Sequence, residues 1–172
     1  GSQAGKSVTT GYSNNIIGQN AGQAITTADS NSLQGQGAGY SLTTGSGNVA
    51  IGAGAMLYST SAFWNVVIGL EAAQSLTTGS YNVAIGPNAL KSATSGQLNI
   101  AIGDATGYNI TTGSNNILVG DDAGNFSSPS GEISTGSNNV VLGNNSISNL
   151  YCADTSISSS DSRDKTDVTS FT

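Results

Sequence analysis

The sequence predicts an all-β chain: a parallel β-solenoid, or β-roll, of 17-residue repeats, assembled as an intertwined or side-by-side homotrimer. Three observations predict it. A glycine recurs every 17 residues, a short β-branched run precedes it, and the middle of that run is always apolar.

The repeat comes first, because a fixed period decides the architecture before any local propensity does. Gly18, Gly35, Gly52, Gly69, Gly86, Gly103 and Gly120 follow one another at intervals of 17, Gly1 extends the series backwards, and Gly143 follows after 23. The six extra residues of that last step belong to the turn-rich stretch 125–131. Other columns keep the same phase. Asn14, Asn31, Asn48, Asn65, Asn82, Asn99, Asn116 and Asn139 each stand four residues before a repeat glycine, and eight and nine before it every residue is Ser or Thr. A period of 17 is too short for two-helix repeats and suits one coil of a β-solenoid.

The run before each glycine supplies the strand. Val49-Ala50-Ile51 and Val83-Ala84-Ile85 have the branched side chains that strands favour, bounded by the Asn and Gly of turns. A second segment, such as Ser41-Leu42-Thr43-Thr44, is expected as a second short strand. At about 4.8 Å per coil the rod is roughly 40 Å long. The corner glycines Gly52, Gly69, Gly86 and Gly103 are expected at positive φ. Asn48, Asn65, Asn82 and Asn99 are expected to stack in an asparagine ladder.

Alternation assigns the two faces of the strand. The expectation is that Val49 and Ile51, with their counterparts, fill the coil, and that the middle residue faces outward. That middle column is Ile16, Leu33, Ala50, Val67, Ala84, Ala101, Leu118 and Val141, apolar throughout. An outward apolar column along a rod is an interface, and so thin a coil gains the burial it lacks by oligomerising.

Composition narrows the function. The 172 residues hold no histidine and a single cysteine, Cys152. That disfavours hydrolase chemistry and rules out an internal disulfide pair. Charged residues are 8% of the chain and sum to −6, which argues against nucleic acid and against anionic membranes. No apolar run is long enough to insert in a membrane. No cofactor and no metal are expected. Glu71, Asp104, Asp121 and Asp122 come from turns of separate coils and read as a solvated edge, too sparse for the six to eight oxygens of calcium. Adjacent threonines such as Thr43-Thr44 lack the Thr-x-Thr spacing of a flat ice-binding face.

Phe63, Trp64 and Tyr81 are the ligand-binding candidates. Trp64, Tyr81 and Leu98 share one phase, five before the glycine, at a turn. Such a patch suits stacking on carbohydrate or contact with a protein. Packing at the trimer surface, or inside a coil widened where Ala62 replaces the usual glycine, is the alternative. Tyr40 and Tyr108, five after the glycine, are expected as interface or core packing.

Two resemblances extend this reading. Over about residues 1–146, units such as Asn-Val-Ala-Ile-Gly-x-x-Ala resemble the head repeats of trimeric autotransporter adhesins, which implies a left-handed roll of three chains. The usual adhesin unit is shorter than this one. The stretch 152–168, with Ser160, Asp161, Arg163 and Lys165, resembles the Ser-Asp-x-Arg-x-Lys start of the intramolecular chaperone of phage tail fibres and endosialidase-type tailspikes. That resemblance implies trimerisation driven by the chaperone, and processing at Ser160 in a longer precursor. The sequence stops at Thr172, so 147–172 is read as a tail that begins a chaperone absent from this chain.

The functional expectation is a structural or adhesive trimeric fibre segment of a phage tail fibre or similar appendage, on a virion or an extracellular surface. Its partners would be two further copies of itself and a host-surface glycan or protein receptor. A bacterial trimeric surface adhesin is the first alternative. A glycan-cleaving tailspike is the second, and it would need paired carboxylates in a groove.

Overall fold

The computed structural model describes residues 1–149. Cys152 and the motif residues Ser160, Asp161, Arg163 and Lys165 lie outside them, as does nearly all of the expected tail.

Among the described residues there are eight strands of three residues each: β1 (Asn15–Ile17), β2 (Ser32–Gln34), β3 (Val49–Ile51), β4 (Val66–Ile68), β5 (Val83–Ile85), β6 (Ile100–Ile102), β7 (Ile117–Val119) and β8 (Val140–Leu142). They form one parallel sheet in sequence order. Each residue pairs with the one 17 further on, as in Val49↔Val66, and the last pair shifts by 23, as in Ile117↔Val140. The chain is therefore a parallel β-solenoid, and each repeat is one coil. The six extra residues leave the coil between Gly124 and Ile133, where the Ile133 N–H returns to the Gly124 carbonyl at 2.9 Å.

The expected second strand does not form. The stretch Ser41–Thr44 is turn, although the Thr43 N–H still reaches the Thr60 carbonyl one coil on at 2.9 Å. The bonding there rests on a threonine ladder. The Oγ1 atoms of Thr9, Thr26, Thr43, Thr60, Thr77, Thr94 and Thr111 each donate to the carbonyl at the same position of the next coil, at 2.9–3.3 Å. A hydroxyl thus does part of the work of a strand.

The face assignment from alternation is inverted. Leu33, Ala50, Val67, Ala84, Ala101 and Leu118 have no exposed surface, Val141 is buried and Ile16 packs half-buried against the same core. The middle column proposed as the trimer interface is therefore the inside of the coil. The residues expected inside, Val49 and Ile51 and their counterparts, face out. The physical reason lies across the coil, where Ala38, Leu42, Ala55, Leu76 and Ile110 fill the space behind the sheet. Only the middle side chain of each strand points toward them.

The core is fitted by size. Leu33 lies between Gly22 and Gly39, and a β-carbon on either would fall 2.9–3.0 Å from its methyls. Leu118 lies between Gly107 and Gly124 in the same way. Where the strand centre shrinks to Ala50 or Ala101, the neighbour at the matching offset grows to Met56 or Leu90, both fully buried. Large and small alternate, as a close-packed interior requires.

The corners need glycine for two reasons. Gly52, Gly69, Gly86 and Gly103 have φ of 131–144°. A β-carbon there would also strike the backbone of the equivalent glycine one coil on.

Candidate functional site

The asparagine column closes the coils beside the strands. Asn65 illustrates it. Its Nδ2 donates to Asn48 Oδ1 at 3.0 Å and to the Gly79 carbonyl at 3.1 Å, and its Oδ1 accepts from the N–H and Nδ2 of Asn82 at 2.9 and 3.1 Å. The pattern runs unbroken from Asn14 to Asn139. Every amide is spent on the fold, so this column is structural and leaves the outer surface to carry function.

The most extensive outer feature is the strand face. Flanking the buried middle column run two lines of side chains: Val49, Val66, Val83, Ile100, Ile117 and Val140 on one side, and Ile51, Ile68, Ile85, Ile102, Val119 and Leu142 on the other. All are exposed or half-exposed, and neither line contains a charge. The first coils differ, with Asn15, Ser32 and Gln34 in these lines. The apolar face therefore starts in earnest at β3. Strand pairing at about 4.8 Å sets these branched side chains directly above one another.

Next to this face stands an aromatic ridge. Trp64, Tyr81 and Leu98 occupy the position just before the ladder asparagine, in successive coils. Their φ values are 57°, 60° and 59°. That left-handed turn is where Ser13, Ser30, Gly47 and Asn115 stand in other coils, and its direction throws the side chain outward. Trp64 is 57% exposed, Tyr81 56% and the neighbouring Phe63 38%. The Trp64 ring lies over Gly47 of the preceding coil, so closely that a β-carbon there would strike it. The coil is not widened at Ala62, which is fully buried and whose carbonyl still accepts from Asn48 Nδ2 at 2.8 Å. The three candidates thus form one outward patch, and none plugs a core.

Tyr40 and Tyr108 are not core residues either. Tyr40 is exposed, and Tyr108 lies half-buried with the Lys91 ammonium 5.5 Å from its ring centre. Lys91 also binds Glu71 at 2.6 Å. The hydrogen bond to Glu71 raises the Lys91 pKa above its ordinary value, with burial acting in the opposite direction. Glu71 is thus a paired carboxylate, where a merely solvated one was expected. Asp104, Asp121 and Asp122 stay at the turn edge. Among the described residues no three acidic, cysteine or histidine side chains converge as a metal site would need.

No protein-family model, curated protein or solved structure matches this chain. The functional reading therefore rests on the surface itself. That surface carries a long neutral apolar face, and beside it a short ridge of Trp64, Tyr81 and Leu98.

Proposed function

We propose that this chain is a structural and adhesive segment of a homotrimeric fibre, of a phage tail or similar appendage, that attaches to a host surface. The observation that carries the reading is the uncharged line of branched side chains on both sides of the buried strand column, from β3 to β8. A contiguous apolar face of this length marks an interaction surface. The two lines differ, so in a parallel assembly the Val49 line of one copy meets the Ile51 line of the next. Such a heterologous contact closes as a ring of three when the rotation between copies is a third of a turn. Three copies with their sheets turned inward would bury all of these faces and give a rod.

Trp64, Tyr81 and Phe63 then remain at the margin of the buried face, placed to meet a receptor. The role proposed is non-catalytic. The resemblance of the stretch around Ser160 to a fibre chaperone supports the phage setting over the bacterial adhesin.

The test is solution mass by light scattering on a sizing column. A mass near three times 17.0 kDa is expected. A folded monomer at micromolar concentration refutes the assembly, and with it the fibre.

A further inference from the structure

We propose that a groove on the turn surface of the coils headed by Gly18, Gly35, Gly52 and Gly69 is a binding site for a neutral saccharide. Its volume is about 440 Å³, within the rough range of 300–1,000 Å³ for small-ligand sites. Gln36, Tyr40, Tyr58, Leu70, Glu71 and Gln74 line it.

The groove exists because the repeat breaks its own pattern there. Two residues after each repeat glycine from Gly1 to Gly120 the chain carries a left-handed residue; Gln3, Asn20, Glu71, Asn88 and Asp122 put a polar side chain at that place, and Ala105 a methyl. In two successive coils the place is taken by Gly37 and Gly54, with φ of 66° and 67°. Two missing side chains open a trough between Asn20 and Glu71. The same coils place large rings beside it. Tyr40 stands where the coils of Gly18 and Gly69 have Gln23 and Gln74, a place that Tyr108 takes further along, and Tyr58 stands where other coils have Ser41, Ser75 or Ser92. Neither tyrosine is buried, so the core does not require them.

The chemistry suits sugar. Tyrosine rings offer flat apolar faces to the C–H groups of a pyranose. The side-chain amides of Asn20, Gln36 and Gln74 have both a donor and an acceptor, the pair that a hydroxyl needs. Among the described residues these amides make no hydrogen bond to protein, and neither does the hydroxyl of Tyr40 or Tyr58. Charge selects within the class. Glu71 is the one charged residue lining the groove, and Lys91 neutralises it at 2.6 Å. No cation lines the groove, and the chain as a whole is at −6, so an acidic sugar has no partner here. The site deepens the attachment reading and rests on it for its purpose, since a saccharide is what a host surface would present.

The test replaces the unusual residues by those the repeat itself uses at the same positions. The variant is Tyr40→Gln, Gly54→Asn, Tyr58→Ser. Asparagine already occupies the equivalent left-handed place at Asn20 and Asn88, and the nearest atom to a β-carbon on Gly54 is 3.5 Å away, so the fold has room for it. Saturation-transfer NMR is run with maltose, lactose, cellobiose and N,N′-diacetylchitobiose, and with 3′-sialyllactose as the acidic probe. The expected result is transfer to at least one neutral sugar, a weaker signal for 3′-sialyllactose, and at least tenfold weaker binding by the triple variant at an unchanged melting temperature. Gly54→Asn alone gives the same direction if the triple variant is poorly folded. Silence from all four neutral sugars, equal binding of 3′-sialyllactose, or undiminished binding by the folded variants overturns the proposal. Light scattering on the same samples reads the assembly separately. A monomer that binds sugar removes the trimer and leaves the groove, and a trimer that binds none does the reverse.

Discussion

Replacing Asn82 tests whether the amide ladder holds the coils together. Its Nδ2 donates to the Gly96 carbonyl at 2.9 Å and to Asn65 Oδ1 at 3.1 Å. Its Oδ1 accepts the Asn99 N–H at 3.0 Å and Asn99 Nδ2 at 3.1 Å. Asn82→Ala leaves the Gly96 carbonyl and the Asn99 N–H without partners, since neither has another bond among the described residues. Asn65 Oδ1 keeps the Asn82 N–H, and Asn99 Nδ2 keeps the Gly113 carbonyl at 2.9 Å, so those two lose only in part. Each buried orphan costs about 1–3 kcal/mol, which sums to about 2–6 kcal/mol for the two. The comparison is Asn14→Ala at the open end of the ladder, where Asn14 is half-exposed and water can substitute; there about 1 kcal/mol is expected. Asn82→Asp sharpens the test. Its second oxygen faces the Gly96 carbonyl and Asn65 Oδ1, both acceptors, so the carboxyl is held protonated and its folded pKa lies above the unfolded value of about 3.9. A group with a raised pKa supports the fold below its unfolded value and loses that support as pH rises through the folded one. The variant should therefore be close to wild type at low pH and progressively weaker toward pH 7. Urea unfolding followed by circular dichroism at pH 3 and pH 7 reads all three variants. A loss under about 1 kcal/mol for Asn82→Ala, or a pH-independent Asn82→Asp, would refute the ladder as a source of stability.

Other perturbations separate the inside of the coil from the outside. Leu118→Ala opens a cavity against two glycine backbones that cannot close in, and should cost about 3–5 kcal/mol, near the top of the usual range; thermal melting checks it. Val67→Asp buries a carboxylate with no partner and should prevent folding, whereas Ile102→Asp, on the exposed face, should leave the circular dichroism of the coil intact while lowering the scattering mass. Lys91→Met removes an ion pair that is still partly open to solvent, so a loss of no more than about 1 kcal/mol is expected. Because the Lys91 pKa is raised, that contribution is present at neutral pH and disappears only as pH rises past the ordinary lysine value of 10.5. A stability difference that persists at pH 12 would count against the pair.

The coil itself was legible because a solenoid writes its geometry into the period. Gly52 to Gly69 to Gly86 fixes the stacking step, and the same step fixes the register Val66↔Val83 without any knowledge of the turns. The insertion was legible for the same reason, as a single departure from 17. Asn48 and its equivalents announced a ladder because turn propensity alone does not demand one amide at one phase so often. The threonine ladder was visible as composition but not as mechanism. A strand and a hydroxyl-bonded turn present the same residues, and only the Thr43 Oγ1 bond to the Thr60 carbonyl at 3.0 Å tells them apart.

The inside and the outside of the strand are where pattern reasoning failed, and the sequence held the correction. Alternation says only that two faces exist. With three-residue strands, one face is a single column and the other is two, and alternation alone does not say which of them faces in. Three residues deny it. Asn15, Ser32 and Gln34 stand in the paired columns and could not sit unpartnered inside so narrow a coil. The middle column has no polar member. Its varying size points the same way, because Leu33 needs Gly22 and Gly39 beside it, and Ala101 accompanies Leu90. Compensation of volume belongs to an interior that cannot expand. An interface between separate chains can adjust spacing, and so can accept a uniform line of valine and isoleucine. That uniform line is what the outer columns carry from β3 to β7, with Leu142 the one departure in β8. The apolar-surface argument for assembly therefore survives the inversion, transferred from the column of Leu33, Val67 and Leu118 to the two columns beside it. The groove at Tyr40 and Tyr58 was hidden by a related habit. Aromatics at a repeat phase look like packing, and only the loss of side chains at Gly37 and Gly54 shows that the repeat has left space in front of them.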